Sequence, residues 1–249
     1  MLRPRISPIV LLKGTGSEKT KSFKPFKYLG DIVNNIRIFN ELIVDELSIF
    51  DLENSTKEDS SINFKLLEKI SREAKMPLCY GGGVKNELEA EQLVNIGFEK
   101  VSLCRNAFNL DLINKIKSSI GSQSLVLHFD YRRDFFGRYS FYINNGQTKL
   151  FINLKDIVNH ILRSLPGEVV FQSIDLDGTK KGLDKKLIQF FKSSFKIPIK
   201  FVGGCSGYTD IENSHRINKT ASFGVGAHFL LHGKYDAVLP SYDAPRFYK

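Results

Sequence analysis

At 249 residues the chain has the length of one large core, so a single domain covering 1–249 is expected. Apolar residues make up 42% and charged residues 25%, and no apolar run nears the roughly 18 residues that cross a bilayer; disordered and membrane-spanning classes are excluded. The net charge of +9 points to anionic partners, and because the lysines are dispersed these are small anions or an acidic protein, with neither nucleic acid nor a membrane expected.

Met1 to Leu12 places basic residues before a short apolar stretch, but Pro8 and Lys13 interrupt the pattern of a leader, and Ile6–Leu12 reads as a first strand. Further strands follow at Leu47–Leu52, Leu78–Tyr80, Val101–Cys104, Leu125–Asp130, Val169–Asp175, Ile199–Val202 and Ser222–Val225. Amphipathic stretches lie between them. Ile62–Ala74 carries Ile62, Leu66, Leu67 and Ile70 on one stripe, and Leu88–Ile96 is opened by Asn86 and closed by Gly97. After the fifth strand, Arg138–Leu150 alternates around Asn145-Gly146 and reads as a hairpin over the mouth of the fold. The last segment, 233–249, holds Pro240 and Pro245 and reads as an irregular tail, with the final helix missing or short.

Alternating strands and helices predict an α/β fold, and an internal repeat favours a closed barrel over a Rossmann-like open sheet. Phe50-Asp51-Leu52-Glu53 recurs as Ile174-Asp175-Leu176-Asp177, each followed by a helix and a glycine pair, Gly82-Gly83 or Gly203-Gly204. Two like halves of four β/α units each make a (β/α)8 barrel with twofold symmetry. The glycines at 81–83, 203–204, 224 and 226 let backbone amides approach an anion; tight β/α turns would demand the same residues.

Strand alternation puts Arg5, Ser7, Ile9 and Leu11 on one face, with Arg5 at the bottom. Glu46, Lys100 and Glu168 also stand at strand starts, giving two cations and two anions whose charges cancel. Such a ring is either a structural plug or a gate. At the other end Asp130 closes a strand and His128 shares its face; a carboxylate there reads as catalytic or ligand-binding, whereas the histidine suits a hydrogen-bonded core position. Cys79, Cys104 and Cys205 are dispersed, which implies a reducing, cytoplasmic setting without a metal site, and no cofactor is expected.

From Met1 to about Phe229 the chain resembles the cyclase subunit of imidazole glycerol phosphate synthase, a histidine-pathway barrel that takes ammonia from a docked glutaminase subunit. The resemblance rests on Leu2-Arg3-Pro4-Arg5-Ile6, Gly30-Asp31, Val44-Asp45-Glu46-Leu47, the triple glycine, Lys100-Val101-Ser102 and Ser173-Ile174-Asp175-Leu176-Asp177-Gly178-Thr179. It implies that Arg5, Glu46, Lys100 and Glu168 form the ammonia gate, with the glutaminase beneath them beside Glu99. It also implies phosphate sites on Gly82, Gly83, Gly178, Gly203, Gly204 and Gly226, with Lys13, Lys19, Asp51, Arg105, Asp130 and Asp177 around the upper mouth.

The family's cyclase chemistry uses an aspartate on strand one and another on strand five. Here the second is Asp130, but the first position is Leu11, and Cys104 and Arg105 replace an asparagine and a threonine. Loss of an acid–base group costs roughly a hundredfold to ten-thousandfold, so ring closure by this chain is in doubt. The pattern looks like the cyclase-like paralogue of surface-polysaccharide clusters, associated with a glutaminase and an N-acetyl sugar amidotransferase that makes acetamidino sugars. Two other readings stand beside it: an authentic cyclase, that is a lyase of histidine biosynthesis using Lys13, Lys19 or His128 instead, and a scaffold that conducts nothing.

Overall fold

The computed structural model describes residues 3–56, 61–192 and 196–242; Met1, Leu2 and residues 243–249 of the expected tail lie outside them. The chain opens with β1 (Ile6–Lys13), folds back as the antiparallel hairpin β2 (Gly16–Lys21) and β3 (Lys24–Asp31), and enters α1 (Ile32–Glu41). Units β4 (Leu47–Asp51) to α2 (Phe64–Glu73), β5 (Leu78–Gly81) to α3 (Glu87–Asn95), and β6 (Lys100–Leu103) to α4 (Leu110–Ile120) complete the first half. The second half begins with β7 (Leu125–Arg133), adds β8 (Tyr139–Ile143) and β9 (Thr148–Lys149), and continues with α5 (Leu154–Ser164). Then come β10 (Glu168–Ser173), α6 (Lys185–Phe190), β11 (Ile199–Val202), α7 (Tyr208–Ile217), β12 (Ala221–Val225), α8 (Ala227–Leu230) and the small pair β13 (Leu231–His232) and β14 (Ala237–Val238).

Parallel pairing runs β1, β4, β5, β6, β7, β10, β11, β12 and returns to β1, so the sheet is a closed (β/α)8 barrel and the open-sheet alternative falls. The strands expected from sequence are all present, with no end moved by more than three residues; β7 runs on to Arg133 because it pairs with β8. The final helix is short, four residues, as expected. The tail is less irregular than expected, since β14 pairs with β13.

Two apolar cores result. The larger lies between barrel and helices, and takes Leu66, Leu67 and Ile70 from α2. The smaller lies inside the barrel and consists of Ile9, Leu11, Phe50, Cys79, Val126, Val170 and Val202. Asparagines open four helices: Asn63, Asn86, Asn109 and Asn153 each accept a backbone N–H of the first turn, which satisfies a donor the helix cannot use itself.

The β2–β3 hairpin has no counterpart among the expected elements. Its strands show no apolar face, because the side chains that β2 buries, Ser17, Lys19 and Thr20, are polar. The β8–β9 turn does cover the mouth: Asn145 Nδ2 donates to Leu52 O at 3.1 Å, and Asn144 and Asn145 adopt positive φ as a tight turn before glycine requires.

The glycine pairs are explained by close approach between successive loops. A Cβ on Gly83 would sit 2.5 Å from Asn54 O at φ +69°, whereas Gly14, at φ +59°, faces open space. Gly83→Ala is therefore expected to cost about 2–3 kcal/mol and Gly14→Ala about 1 kcal/mol or less, read as the shift in urea unfolding midpoint; equal costs would show that backbone strain alone decides.

Candidate functional site: the barrel floor, lumen and mouth

At the bottom of the barrel the expected charges converge. Lys100 Nζ bridges Glu46 Oε2 at 2.6 Å and Glu168 Oε2 at 2.8 Å, while Arg5 bonds Glu168 and lies 3.4 Å from Glu46. The ring is not neutral, as the sequence reading had it. Lys200 on β11, 1% exposed, is a fifth member, bonded to Glu46 and 3.7 Å from Glu168. Three cations face two carboxylates, and the formal sum is +1. Lys200 escaped the sequence reading because Ile199–Val202 reads as an ordinary buried strand, in which one lysine carries no signal of direction.

Burial alone would raise Glu46, but Lys200, Lys100 and Arg5 outweigh it and hold this carboxyl far below the usual range. Burial also works against the Lys100 ammonium, and Glu168 with Glu46 overcomes it and raises that group above its ordinary value.

Above the floor, Ser7 Oγ donates to Glu46 Oε1 at 2.9 Å, and the buried hydroxyls of Ser48 and Ser102 have no partner among the described residues. Ser102 is two residues above Lys100, about 6.6 Å along the strand. A cavity of about 340 Å³ reaches from Ser102 to the mouth, past Leu11, Phe50, His128, Asp130 and Gln172. The hairpins roof it, with Thr20, Phe23, Asn144 and Asn145.

Inside this cavity Asp130 accepts a weak bond from Cys104 Sγ at 3.5 Å, and its Oδ1 lies 3.2 Å from His128 Nε2. His128 stands edge-on to Phe50, and its Nε2 is buried beside the Asp130 carboxylate without an aligned hydrogen bond. Burial and then Asp130 push the Cys104 thiol well up; burial takes Cys79 and Cys205 to about 12, so all three stay protonated and none is a ready nucleophile. Leu11, at which the resemblance led to the expectation of an acid–base position, is 5% exposed and part of the inner apolar core.

Expected mouth residues divide between the two halves. Gly82, Gly83, Lys13 and Arg105 line the large cavity; Lys13 pairs with Glu18 at 3.1 Å, and Arg105 donates to Ser55 O at 2.8 Å. Asp51 is not on the wall. It accepts from Glu53 N, Asn54 N and Asn54 Nδ2 and so shapes its own loop, and burial raises its pKa. In the second half Gly178, Gly203, Gly204 and Gly226 surround only about 20 Å³. Lys19 Nζ bonds Asp177 Oδ1 at 2.6 Å, Thr20 Oγ1 donates to Asp177 Oδ2 at 2.5 Å, and a Cβ on Gly226 would meet Lys19 Cε at 3.1 Å. Lys19 and Asp177, expected as ligand contacts, are thus occupied with each other, since both are buried and each neutralises the other.

The sequence model of the histidine biosynthesis protein family matches residues 6–236. The chain belongs to this family. It is 37% identical over 247 residues to a Vibrio vulnificus protein provisionally named imidazole glycerol phosphate synthase subunit hisF3, covering 98% of this chain and 95% of that one. A Pseudomonas aeruginosa protein provisionally named subunit hisF2 is 37% identical over 97% of this chain and 96% of its own length. Imidazole glycerol phosphate synthase subunit HisF of Dictyoglomus turgidum is 31% identical over 89% and 88%. The cyclase-like resemblance read from the motifs therefore holds, and the 37% relatives bear numbered HisF names. Among the described residues no helix is long and apolar enough to cross a membrane.

Removing one member of the floor should have unequal effects. Glu46→Gln leaves three cations with one carboxylate and should cost about 3–5 kcal/mol, whereas Lys200→Met leaves a balanced ring and should cost about 1 kcal/mol or less. The depressed Glu46 contributes stability above its unfolded value near pH ~4.3, lost as pH falls through the folded value. The raised Lys100 contributes below its unfolded value near ~10.4, lost as pH rises past the folded one. Chemical denaturation across pH should show the gap between wild type and Glu46→Gln flat from about pH 5 to 10 and narrowing in acid.

Proposed function

We propose that the chain is a cyclase-like, ammonia-channelling subunit of a glutamine-dependent amidotransferase system, serving acetamidino-sugar formation for surface polysaccharide. A glutaminase subunit would dock under Arg5, Glu46, Glu99, Lys100 and Glu168. An N-acetyl sugar amidotransferase would draw on the mouth. The observation that carries the reading is the floor: a cavity open down to Ser102 is separated from the bottom face by a ring of movable ionic side chains, while Leu11 stands at the acid–base position.

Physical chemistry supports passage of a small polar molecule here. An unpaired buried hydroxyl costs about 1–3 kcal/mol, and Ser48 Oγ and Ser102 Oγ carry that cost inside the lumen. Ammonia can donate to and accept from each of them. Opening would require Lys100 to swing away from Glu46 and Glu168, with Arg5 still bonded to Glu168 and Lys200 to Glu46. The first-half cavity, with Gly82, Gly83 and Arg105, would hold a phosphate-bearing ligand; the second-half site would open to one only by breaking the Lys19–Asp177 pair.

With the glutaminase and the synthetase present, Lys100→Met or Glu168→Gln should lower glutamine-fed product at least tenfold and leave ammonium-fed product within about twofold. Equal loss from both nitrogen sources would overturn the channelling role.

A specific contact favours a second reading, an authentic cyclase. His128 Nε2 lies 3.2 Å from Asp130 Oδ1 and both line the cavity, so the histidine is placed for the proton transfer that Leu11 cannot perform. Lys13 and Lys19, the other substitutes considered, are paired with Glu18 and Asp177. Supplying the purified chain with the histidine-pathway ribonucleotide and ammonium salt separates the readings: turnover that falls a hundredfold or more in His128→Ala would establish the cyclase, and its absence leaves channelling.

A further inference from the structure

Two hairpins rise from the same end of the barrel, one after the first strand of each half, and both expose aromatic side chains beside cations. At the β7–β8 turn Phe135 and Phe136 are 99% and 81% exposed, with their rings in edge contact at 5.8 Å. The turn is stiff. Gly137 N donates to Asp134 O at 3.0 Å, and the Asp134 carboxylate accepts from Arg138 N at 2.9 Å and Arg138 Nε at 2.7 Å. Because β7 continues three residues past Asp130 before turning, the tip stands about 10 Å beyond that carboxylate.

Cations flank both tips. Arg132, Arg133 and Arg138 are each steadied by one carboxylate, Asp175, Asp184 and Asp134, which leaves further N–H donors on each guanidinium. On the other hairpin Lys21 and Lys24 are exposed and, with Lys27, have no carboxylate within 4.0 Å among the described residues. Lys21 Nζ lies 5.5 Å from the ring centre of Phe26, which with Tyr28 is also exposed. Lys19 to Tyr28 is a run of cations interleaved with aromatics that the dispersed-lysine reading of the sequence passed over.

The turn presents two adjacent phenylalanine rings to solvent, with the Arg138 guanidinium 5.4 Å from the Phe136 ring centre. The headgroup boundary of a bilayer fits that arrangement, and anionic headgroups complement the excess of +9. We propose that the hairpin tips beside the mouth dock on an anionic lipid bilayer, with Phe135 and Phe136 entering the headgroup–acyl boundary and Lys21, Lys24 and Arg138 against the headgroups. Such attachment needs no spanning helix, and it reverses the expectation from composition that no membrane takes part. It does not depend on the ammonia reading.

The chain has no tryptophan, so Phe136→Trp supplies a single fluorophore at the tip. With phosphatidylcholine vesicles containing phosphatidylglycerol, its emission should shift to the blue and be quenched by brominated acyl chains. The wild type should sediment with these vesicles and much less with phosphatidylcholine alone. Since burying one phenylalanine strengthens partition roughly tenfold or more, Phe135→Ser with Phe136→Ser should weaken it about a hundredfold with unchanged circular dichroism. Lys21→Ser with Lys24→Ser should weaken it less, by a factor that shrinks in salt. The proposal is overturned if wild type stays in the supernatant with anionic vesicles, if the Trp emission does not move, or if sedimentation velocity shows the phenylalanines holding a dimer of this chain. None of these readouts depends on glutamine-fed or ammonium-fed product.

Discussion

Two carboxylates buried at the bottom of a barrel cannot stay ionised alone; moving each from water costs several kcal/mol even after relaxation. Glu46 and Glu168 are 2% exposed, and Arg5, Lys100 and Lys200 converge on them from other strands; these cations hold the Glu46 carboxyl far below its usual range. That convergence requires the sheet to close, since β11 and β6 face each other only across a complete barrel. The floor thereby links the ends of five strands through charged groups rather than packed apolar atoms.

Above the floor the twofold repeat survives in backbone but not in use. Asp51 and Asp175 occupy like places in the two motifs, yet Asp51 is buried and organises its loop, while Asp175 is half exposed and pairs with Arg132. The glycine pairs serve the same purpose in both halves, admitting a neighbouring loop: Asn54 at Gly83, Ser173 at Gly203. What differs is the volume left over. Lys19 and Asp177 fill the small site beside Gly178, Gly203 and Gly226, and the large cavity, lined from both halves, keeps Asp130 and His128 of β7.

Membership in the histidine biosynthesis family and the substitution at Leu11 bear on different levels. The family follows from a match along nearly the whole barrel. By the resemblance, one of the family's two acid–base positions falls on Leu11, and leucine exchanges no proton. Leu11 packs with Ile9, Phe50 and Val170 in the inner core, so the position serves the fold through packing.

Local patterns in the chain were enough to determine the eight barrel strands, the helix opened by Asn86, the hairpin at Asn145-Gly146 and four of the five floor charges. Each is signalled within a few residues, by alternation of period two, a cap or a turn dipeptide, or by a charge at a strand start. Only the tertiary structure decided the place of Lys200, the β2–β3 roof, the burial of Lys19 against Asp177, and the unpaired His128 beside Asp130. These depend on which side chains meet across the barrel: Lys19 and Asp177 are 158 residues apart and Lys200 and Glu46 are 154 apart. A polar residue becomes buried there because its partner is polar, and no periodicity along either segment records that pairing.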